Sequence, residues 1–180
     1  MKHFLIALSL CLLAFTPVQD EVKISWTQDL QLTWEDFKGT PQYGTTYVAS
    51  TNSGLSFKYG YKVINGSPTS DFNFEVTSFF YPELSWYVAD RVTPRVLKHE
   101  QTHFDISELH ARMLRKRIAE FNFSSNVKEE LDALYDAIEA ERRALQKQFD
   151  LETDHSTIRD KELEWEQKIA DLLAQYQAWQ

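Results

Sequence analysis

The chain has 180 residues, of which 43% are hydrophobic and 14% aromatic, and its formal net charge at pH 7 is -8. This acidic balance argues against nucleic acid and against an anionic membrane surface as partners, because both are negatively charged themselves. After the first 15 residues, no apolar segment reaches the ~20 residues that a membrane-spanning helix needs. We therefore expect no membrane insertion of the mature protein.

The first residues have the pattern of an export signal. Lys2 precedes an apolar run over residues 4–15. That length is typical of a signal-peptide core and is too short to span a membrane comfortably. We therefore predict a signal peptide over residues 1–19 and a single domain over residues 20–180.

The single cysteine lies within this predicted signal. Leu10 precedes Cys11 at a position where a lipoprotein site has a small residue, so we do not expect lipid attachment. Removal of the signal leaves a chain without thiol or disulfide chemistry. An exported protein without cysteine fits the bacterial periplasm or the extracellular space, and we predict that localisation.

The next part of the chain is rich in aromatic, β-branched and turn residues, which predicts strands. The alternating runs lie at residues 22–26, 30–34, 47–50, 55–63 and 71–80. Residues 36–46 contain Gly39, Pro41 and Gly44, which predict a loop, and residues 65–68 carry an Asn-Gly-Ser-Pro turn signal. Together these features predict a small, mostly antiparallel sheet.

From Thr93 onward the pattern becomes helical. Thr93 is a suitable N-cap and Pro94 suits the first helical position, so we predict a long helix that ends near residue 121. Further helices are predicted over 127–149 and 158–178, with a break at 153–157 and their charged residues facing solvent. The predicted fold is α+β: an N-terminal sheet packed with the long helix and a C-terminal helical hairpin, zincin-like in type.

An HExxH pentad, His99-Glu100-Gln101-Thr102-His103, lies on the predicted long helix. Residues four apart share a helix face and lie ~6 Å apart along the axis, so both imidazoles can reach one zinc ion. Glu100 points to another side of the helix and is free to act on water beside the metal. This is the arrangement of zinc hydrolases of the zincin type.

Both histidines of the pentad lie on the apolar stripe of this helix. The stripe follows three- and four-residue spacing: Val96, His99, His103, Ile106, His110 and Met113. We expect this face to turn inward, where a buried histidine pair needs a partner such as a metal ion. The basic residues of the opposite side are predicted to face solvent: Arg95, Lys98, Arg112, Arg115, Lys116 and Arg117.

A catalytic zinc ion usually takes three protein ligands, and the third must come from another segment. His110 returns to the pentad's face but lies ~10 Å further along the helix, and Glu108 points away from that face. We predict His155, in the break between the last two helices, as the third ligand. Asp150, Glu152 and Asp154 are nearby acids that could orient His155 or replace it.

Longer strings extend the pentad into a family resemblance. They are LTWEDFKG at residues 32–39 with Pro41, Ser85-Trp86, LKHEQTHFDI at residues 97–106, and FDLETDHS at residues 149–156. With these strings the chain resembles the predicted secreted zinc-dependent proteases of bacteria, a domain-of-unknown-function family. The resemblance covers most of the mature chain. It implies a secreted metalloprotease with a zinc site on the pentad.

We therefore expect an exported zinc-dependent hydrolase, a metallopeptidase with one Zn²⁺ per chain and a peptide or protein as substrate. His99, His103 and His155 are the predicted metal ligands. Glu100 is the predicted general base acting on a zinc-bound water. Residues predicted as possible donors to the developing oxyanion are Tyr135, Tyr176 and His110.

Two alternatives remain open from the sequence. One is a non-catalytic zinc-binding envelope protein with a closed, four-ligand metal shell. The other is a peptide- or ligand-binding module that uses its aromatic sheet and has an incidental histidine pair. The sequence leaves the oligomeric state open.

Overall fold

The structure, a computed structural model, describes residues 22–64 and 67–180. The predicted signal peptide over residues 1–19 lies outside the described residues. Within the described part, small antiparallel sheets pack with three α-helices, so the α+β prediction is confirmed.

A long hairpin dominates the larger sheet. Strands β3 (Ser53–Ile64) and β4 (Ser67–Phe80) pair antiparallel, with an irregularity in register between Tyr61 and Val63. Strand β1 (Ile24–Ser25) pairs with the other edge of β4, which gives the order β1-β4-β3. The strands predicted near 22–26, 55–63 and 71–80 are therefore confirmed.

A second, two-stranded sheet lies beside the long helix. It joins β2 (Ala49–Ser50) to β5 (Trp86–Tyr87) in antiparallel register. The strand predicted at 47–50 is confirmed, whereas the one at 30–34 is wrong. There, Thr33 donates to Asp36 Oδ2 through its backbone N–H (2.7 Å), and its hydroxyl lies 3.0 Å from the same atom. These local bonds favour a 3₁₀ turn at Trp34–Asp36 over a strand.

Helix α1 (Pro94–Glu120) is the central element of the fold. The hydroxyl of Thr93 accepts from the N–H of Val96 at 3.4 Å, so the predicted cap and helix are confirmed. Strands β3 and β4 cover one side of α1, and the two later helices cover the other. The prediction that its basic residues face solvent is wrong for Arg112, which is 1% exposed, and for Arg115, which is half-buried.

Buried hydrogen bonds explain why these two arginines point inward. Arg112 Nε donates to Glu108 Oε1 at 3.0 Å, and Arg115 donates to the same oxygen at 3.1 Å. Ser78 of β4 donates to Glu108 Oε2 at 2.7 Å. Glu108 thus ties the sheet to α1, and its charge is offset by two guanidinium groups.

The C-terminal hairpin consists of α2 (Val127–Thr153) and α3 (Arg159–Gln175). The predicted break is confirmed, because Asp154, His155 and Ser156 all adopt positive φ, between 48° and 70°. The solvent-facing prediction for charged residues of these helices is wrong at three positions that are buried: Glu139, Arg142 and Glu162. No described helix is long and apolar enough to cross a membrane.

Candidate metal centre

Three side chains from two helices meet at one point. His99 and His103 of α1 place their Nε2 atoms 3.2 Å apart. Asp150, near the end of α2, brings Oδ1 to 3.2 Å from His99 Nε2 and 2.9 Å from His103 Nε2. Their ligand atoms all lie within 4.8 Å of one another, so this His-His-Asp group could hold a metal ion.

The helices fix this geometry through packing. The four-residue spacing on α1 stacks the two imidazoles on one face. The ring of Phe149, fully buried, stacks on His99 at 4.4 Å between centroids and meets the ring of His103 edge-on at 5.1 Å. Because Asp150 follows Phe149 directly, the packing that orients both rings also sets the position of the carboxylate.

A second carboxylate lies behind His99. Glu162 Oε1, on α3, is 2.8 Å from His99 Nδ1, and Glu162 is 1% exposed. Sequence reasoning missed this residue, because a charge on a surface-type helix was assigned to solvent. Its spacing from the apolar Trp165 and Ile169, three and seven residues on, was the signal that could have found it.

The carboxylates around His99 control its charge. Burial lowers the pKa of His99, but its hydrogen bonds with Asp150 and Glu162 outweigh burial and raise that pKa to about 9. Burial raises the pKa of Asp150, whereas its contacts with His103 and His99 hold that pKa well below the usual range of an aspartate. Positive charge is thus strongly favoured between these acids, as at a cation site.

Glu100 is buried beside this group. The residue is 4% exposed, and its Oε2 atom has no hydrogen-bond partner among the described residues. Its backbone carbonyl accepts from the hydroxyl of Thr51 at 3.2 Å, which joins α1 to the segment after β2. A buried carboxylate oxygen without a partner is costly, and in a cavity it can receive a bond from a ligand or water.

A cavity of about 210 Å³ is lined by Glu100 and the His-His-Asp group. Its walls come from the segment 47–51 on one side and from the two helices and the α2–α3 turn on the other. The polar side chains at this cavity are those of His99, Glu100, His103, Asp150, Gln146, His155, Tyr47, Ser50, Thr51 and Ser156.

His155, the predicted third ligand, lies at the edge of the group. Its Nδ1 atom is 3.5 Å from Asp150 Oδ1. The ring of Tyr47 meets His155 edge-on at 4.5 Å between centroids. The structure therefore brings Asp150 directly between His99 and His103, with His155 next to Asp150.

Other residues weighed in the sequence lie elsewhere. Glu152 accepts from the indole of Trp165 at 2.8 Å. His110 Nδ1 bonds the carbonyl of Ile106 at 2.8 Å, and Tyr135 donates to the carbonyl of Leu55. None of these residues lines the cavity, and Tyr176 does not line it either. Among the described residues, Tyr47 is the tyrosine that lines the cavity.

Gln101 explains part of the extended motif. Its side-chain oxygen accepts from the N–H of Leu32 at 2.8 Å, and its amide donates to Asp105 at 2.9 Å. The indole of Trp26 donates to the same Asp105 oxygen, also at 2.9 Å. Gln101 thus attaches the N-terminal segment to α1, the helix that carries His99 and His103.

Fold and site together define an α+β protein with a candidate metal centre on its central helix. The chain belongs to a bacterial protein family of unknown function, DUF922, whose sequence pattern matches residues 28–156. No curated protein and no solved structure matches the chain. The resemblance to a domain-of-unknown-function family is therefore confirmed, whereas the protease activity that it implied stays a prediction.

Proposed function

We propose that the protein is an exported, zincin-like, zinc-dependent hydrolase that cleaves peptide bonds in a peptide or protein substrate. The observation that supports this most is the placement of Glu100. Its buried, unpartnered Oε2 shares one cavity with the convergent atoms of His99, His103 and Asp150. A closed structural zinc site has no need of an additional buried acid beside it.

The donor set fits zinc. Two imidazole nitrogens and one carboxylate oxygen form a common ligand set of catalytic zinc, and three ligands leave a position open for reaction. A zinc ion held by His99, His103 and Asp150 would supply Lewis acidity, which polarises a carbonyl and makes water more acidic. His155 remains a predicted ligand, and its Nδ1 atom lies 3.5 Å from Asp150 Oδ1.

Glu100 acts as the general base in this proposal. Its free Oε2 accepts a proton from the attacking water and passes it to the leaving amine. The burial of Glu100 suits this role, because no hydrogen bond of the described residues competes with water for Oε2. Tyr47, at the cavity wall, has a hydroxyl that can donate to a developing oxyanion.

Peptide is the proposed substrate class because of the cavity wall. The segment 47–51 includes the short strand β2, whose backbone can hydrogen-bond an extended chain. Nucleic acid remains unfavoured as a partner because the chain is acidic. Export to the periplasm or exterior is proposed from the N-terminal sequence alone. Fractionation of cells producing the full chain, with mass analysis of the mature N-terminus, tests it.

The proposal predicts a specific effect of Glu100→Gln. Gln keeps the size of the side chain but cannot accept the proton, so the variant should fold, keep one zinc ion per chain and lose hydrolysis by roughly 10²-fold or more. Activity against broad peptide libraries and elemental analysis measure the two quantities. Glu120→Gln, at the exposed end of the same helix, is the matched control and should retain activity. Retained hydrolysis by Glu100→Gln would assign the base to another residue.

A non-catalytic zinc protein is the second candidate, and the position of His155 favours it. If His155 completes a four-ligand shell with His99, His103 and Asp150, the metal has no open position and is structural. An exchangeable ligand position in the cobalt-substituted protein distinguishes the two candidates. A protein purified without stoichiometric metal would instead favour a peptide- or ligand-binding module.

A further inference from the structure

Helix α3 lies outside the segment that defines the family. The family pattern ends at residue 156, and α3 begins at Arg159. Nevertheless, α3 supplies a side chain to the metal group, because Glu162 contacts His99 at 2.8 Å.

Three features make Glu162 unusual for a helix-packing residue. It is 1% exposed, and its Oε2 atom has no hydrogen-bond partner among the described residues. Its Oε1 atom is hydrogen-bonded to His99. A buried carboxylate with one polar contact is a poor way to dock a helix, because the desolvation of buried charges can cost more than a single ion pair returns. The contact with His99 therefore requires a reason beyond packing.

Geometry supplies that reason. Glu162 contacts Nδ1 of His99, whereas Nε2 of the same ring points at His103 and Asp150. An acceptor at Nδ1 keeps the proton on that nitrogen and leaves the Nε2 lone pair for a metal. The buried Trp165, one turn further along α3, packs on Phe149, so α3 also supports the ring that stacks on His99.

We propose that Glu162 is a positioning residue of the metal centre: its carboxylate fixes the tautomer and orientation of the His99 ring, and α3 is thus a functional part of the site. This inference rests on the proposed metal function. It adds that the site depends on a residue beyond the family-defining segment. Glu162 itself does not touch the metal or the substrate.

The test compares Glu162→Gln with Glu166→Gln, in the full mature protein. Gln is nearly isosteric with Glu but is a weaker acceptor. Glu166 is half-buried one turn further along the same helix and has no hydrogen bond to His99, so it controls for loss of one nearby charge. Zinc affinity, measured by competition with a chromogenic chelator, should fall about 10- to 100-fold for Glu162→Gln. It should stay within about threefold of the parent for Glu166→Gln, because Glu166 has no hydrogen bond that orients the His99 ring.

A double-mutant cycle separates positioning from general stability. In a His99→Ala background, Glu162→Gln should cause no further loss of zinc affinity, because there is no ring left to orient. An equal loss in both backgrounds would overturn the proposal, and so would an affinity of Glu162→Gln within about twofold of the parent. If Glu162→Gln does not fold by circular dichroism, Glu162→Asp, which keeps the charge but withdraws it by one methylene, takes its place in the cycle.

The parent protein separates this inference from the proposed function. A parent that binds no zinc overturns the metal site itself. If the parent binds zinc and Glu162→Gln binds it with the same affinity, only the role of Glu162 is overturned. The absorption spectrum of the cobalt-substituted parent and variant gives a second readout, since a reoriented His99 changes the ligand field at the metal.

Discussion

At the scale of single residues, two buried histidines of the central helix have opposite electrostatic environments. His99 lies between two carboxylates, so positive charge is favoured there. His110, about three turns further along, is buried without a carboxylate bond among the described residues and donates from Nδ1 to the carbonyl of Ile106. Burial lowers the pKa of His110 below 6.5, despite that hydrogen bond.

His110 should therefore make the fold sensitive to acid. It is neutral in the folded protein, whereas the unfolded chain takes up a proton near the ordinary pKa. Stability from this residue is present above about pH 6.5 and is lost as the pH falls below that value toward the folded pKa. Between about pH 7.5 and 5.5, the parent should lose more unfolding free energy than His110→Asn, because only the parent takes up the additional proton on unfolding. Urea unfolding with chelator present measures this.

His110→Asn is a matched variant because its amide nitrogen can take the place of Nδ1 toward Ile106. A constant offset in stability at both pH values is expected from the smaller side chain. Equal pH dependence in parent and variant would show that His110 titrates normally, and acid sensitivity would then have to come from other groups.

Individual residues also show where sequence reasoning stops. The pentad, its helix and its cap could be predicted because they depend on spacing along one helix. Asp150 was recognised only as a substitute for His155, since the choice depends on how α2 ends against α1. Glu162 was missed because helix periodicity does not show which elements pack against a given helix face. In a sequence, a charged residue that becomes buried is also indistinguishable from one that faces solvent.

At the scale of elements, the α2–α3 turn is the most constrained connection in the described chain. Three consecutive residues without glycine, Asp154, His155 and Ser156, adopt left-handed backbone. Each such residue costs roughly 1 kcal/mol. The turn places His155 at the wall of the cavity. The break in the helical pattern could be predicted from the sequence, but the direction of the turn's side chains could not, because it depends on these backbone angles.

His155→Ala tests what this turn contributes. If the metal has three ligands from His99, His103 and Asp150, zinc affinity should fall less than about tenfold, because the loss is indirect. A loss of more than about 100-fold would make His155 a ligand, as predicted from the sequence. Tyr47→Phe, which keeps the ring against His155, is the control and should leave zinc affinity unchanged. Equilibrium competition with a chelator measures all three proteins.

At the scale of the whole molecule, the metal group connects elements that are distant in sequence. His99 and His103 come from α1, and Asp150 comes from the end of α2. The strand predictions succeeded where residues alternate, as in β3 and β4. The prediction that the basic residues of α1 face solvent failed at Arg112 and Arg115, because a sheet and a helical hairpin both pack on this helix.

Metal removal should therefore destabilise the whole fold. A ligand that binds only the folded state stabilises it by about 2.7 kcal/mol at a free concentration of 100 times Kd. For a domain of this size, that corresponds to a rise in Tm of roughly 5–10 °C. Calorimetry with zinc and with chelator measures the difference. The variant with both His99→Ala and His103→Ala should show no difference in Tm between zinc and chelator. A parent with equal Tm in both conditions would argue against a metal site between the helices.

The central position of α1 also sets the order in which the site can be completed during synthesis. The strands that cover one side of α1 precede it in the chain, whereas the helices that cover its other side follow it. A ribosome therefore releases His99 and His103 well before Asp150, and Asp150 before Glu162. Until α2 and α3 have emerged, the histidine face of α1 lacks both of its carboxylate partners, so the candidate metal centre is completed only after the helix that carries the histidines.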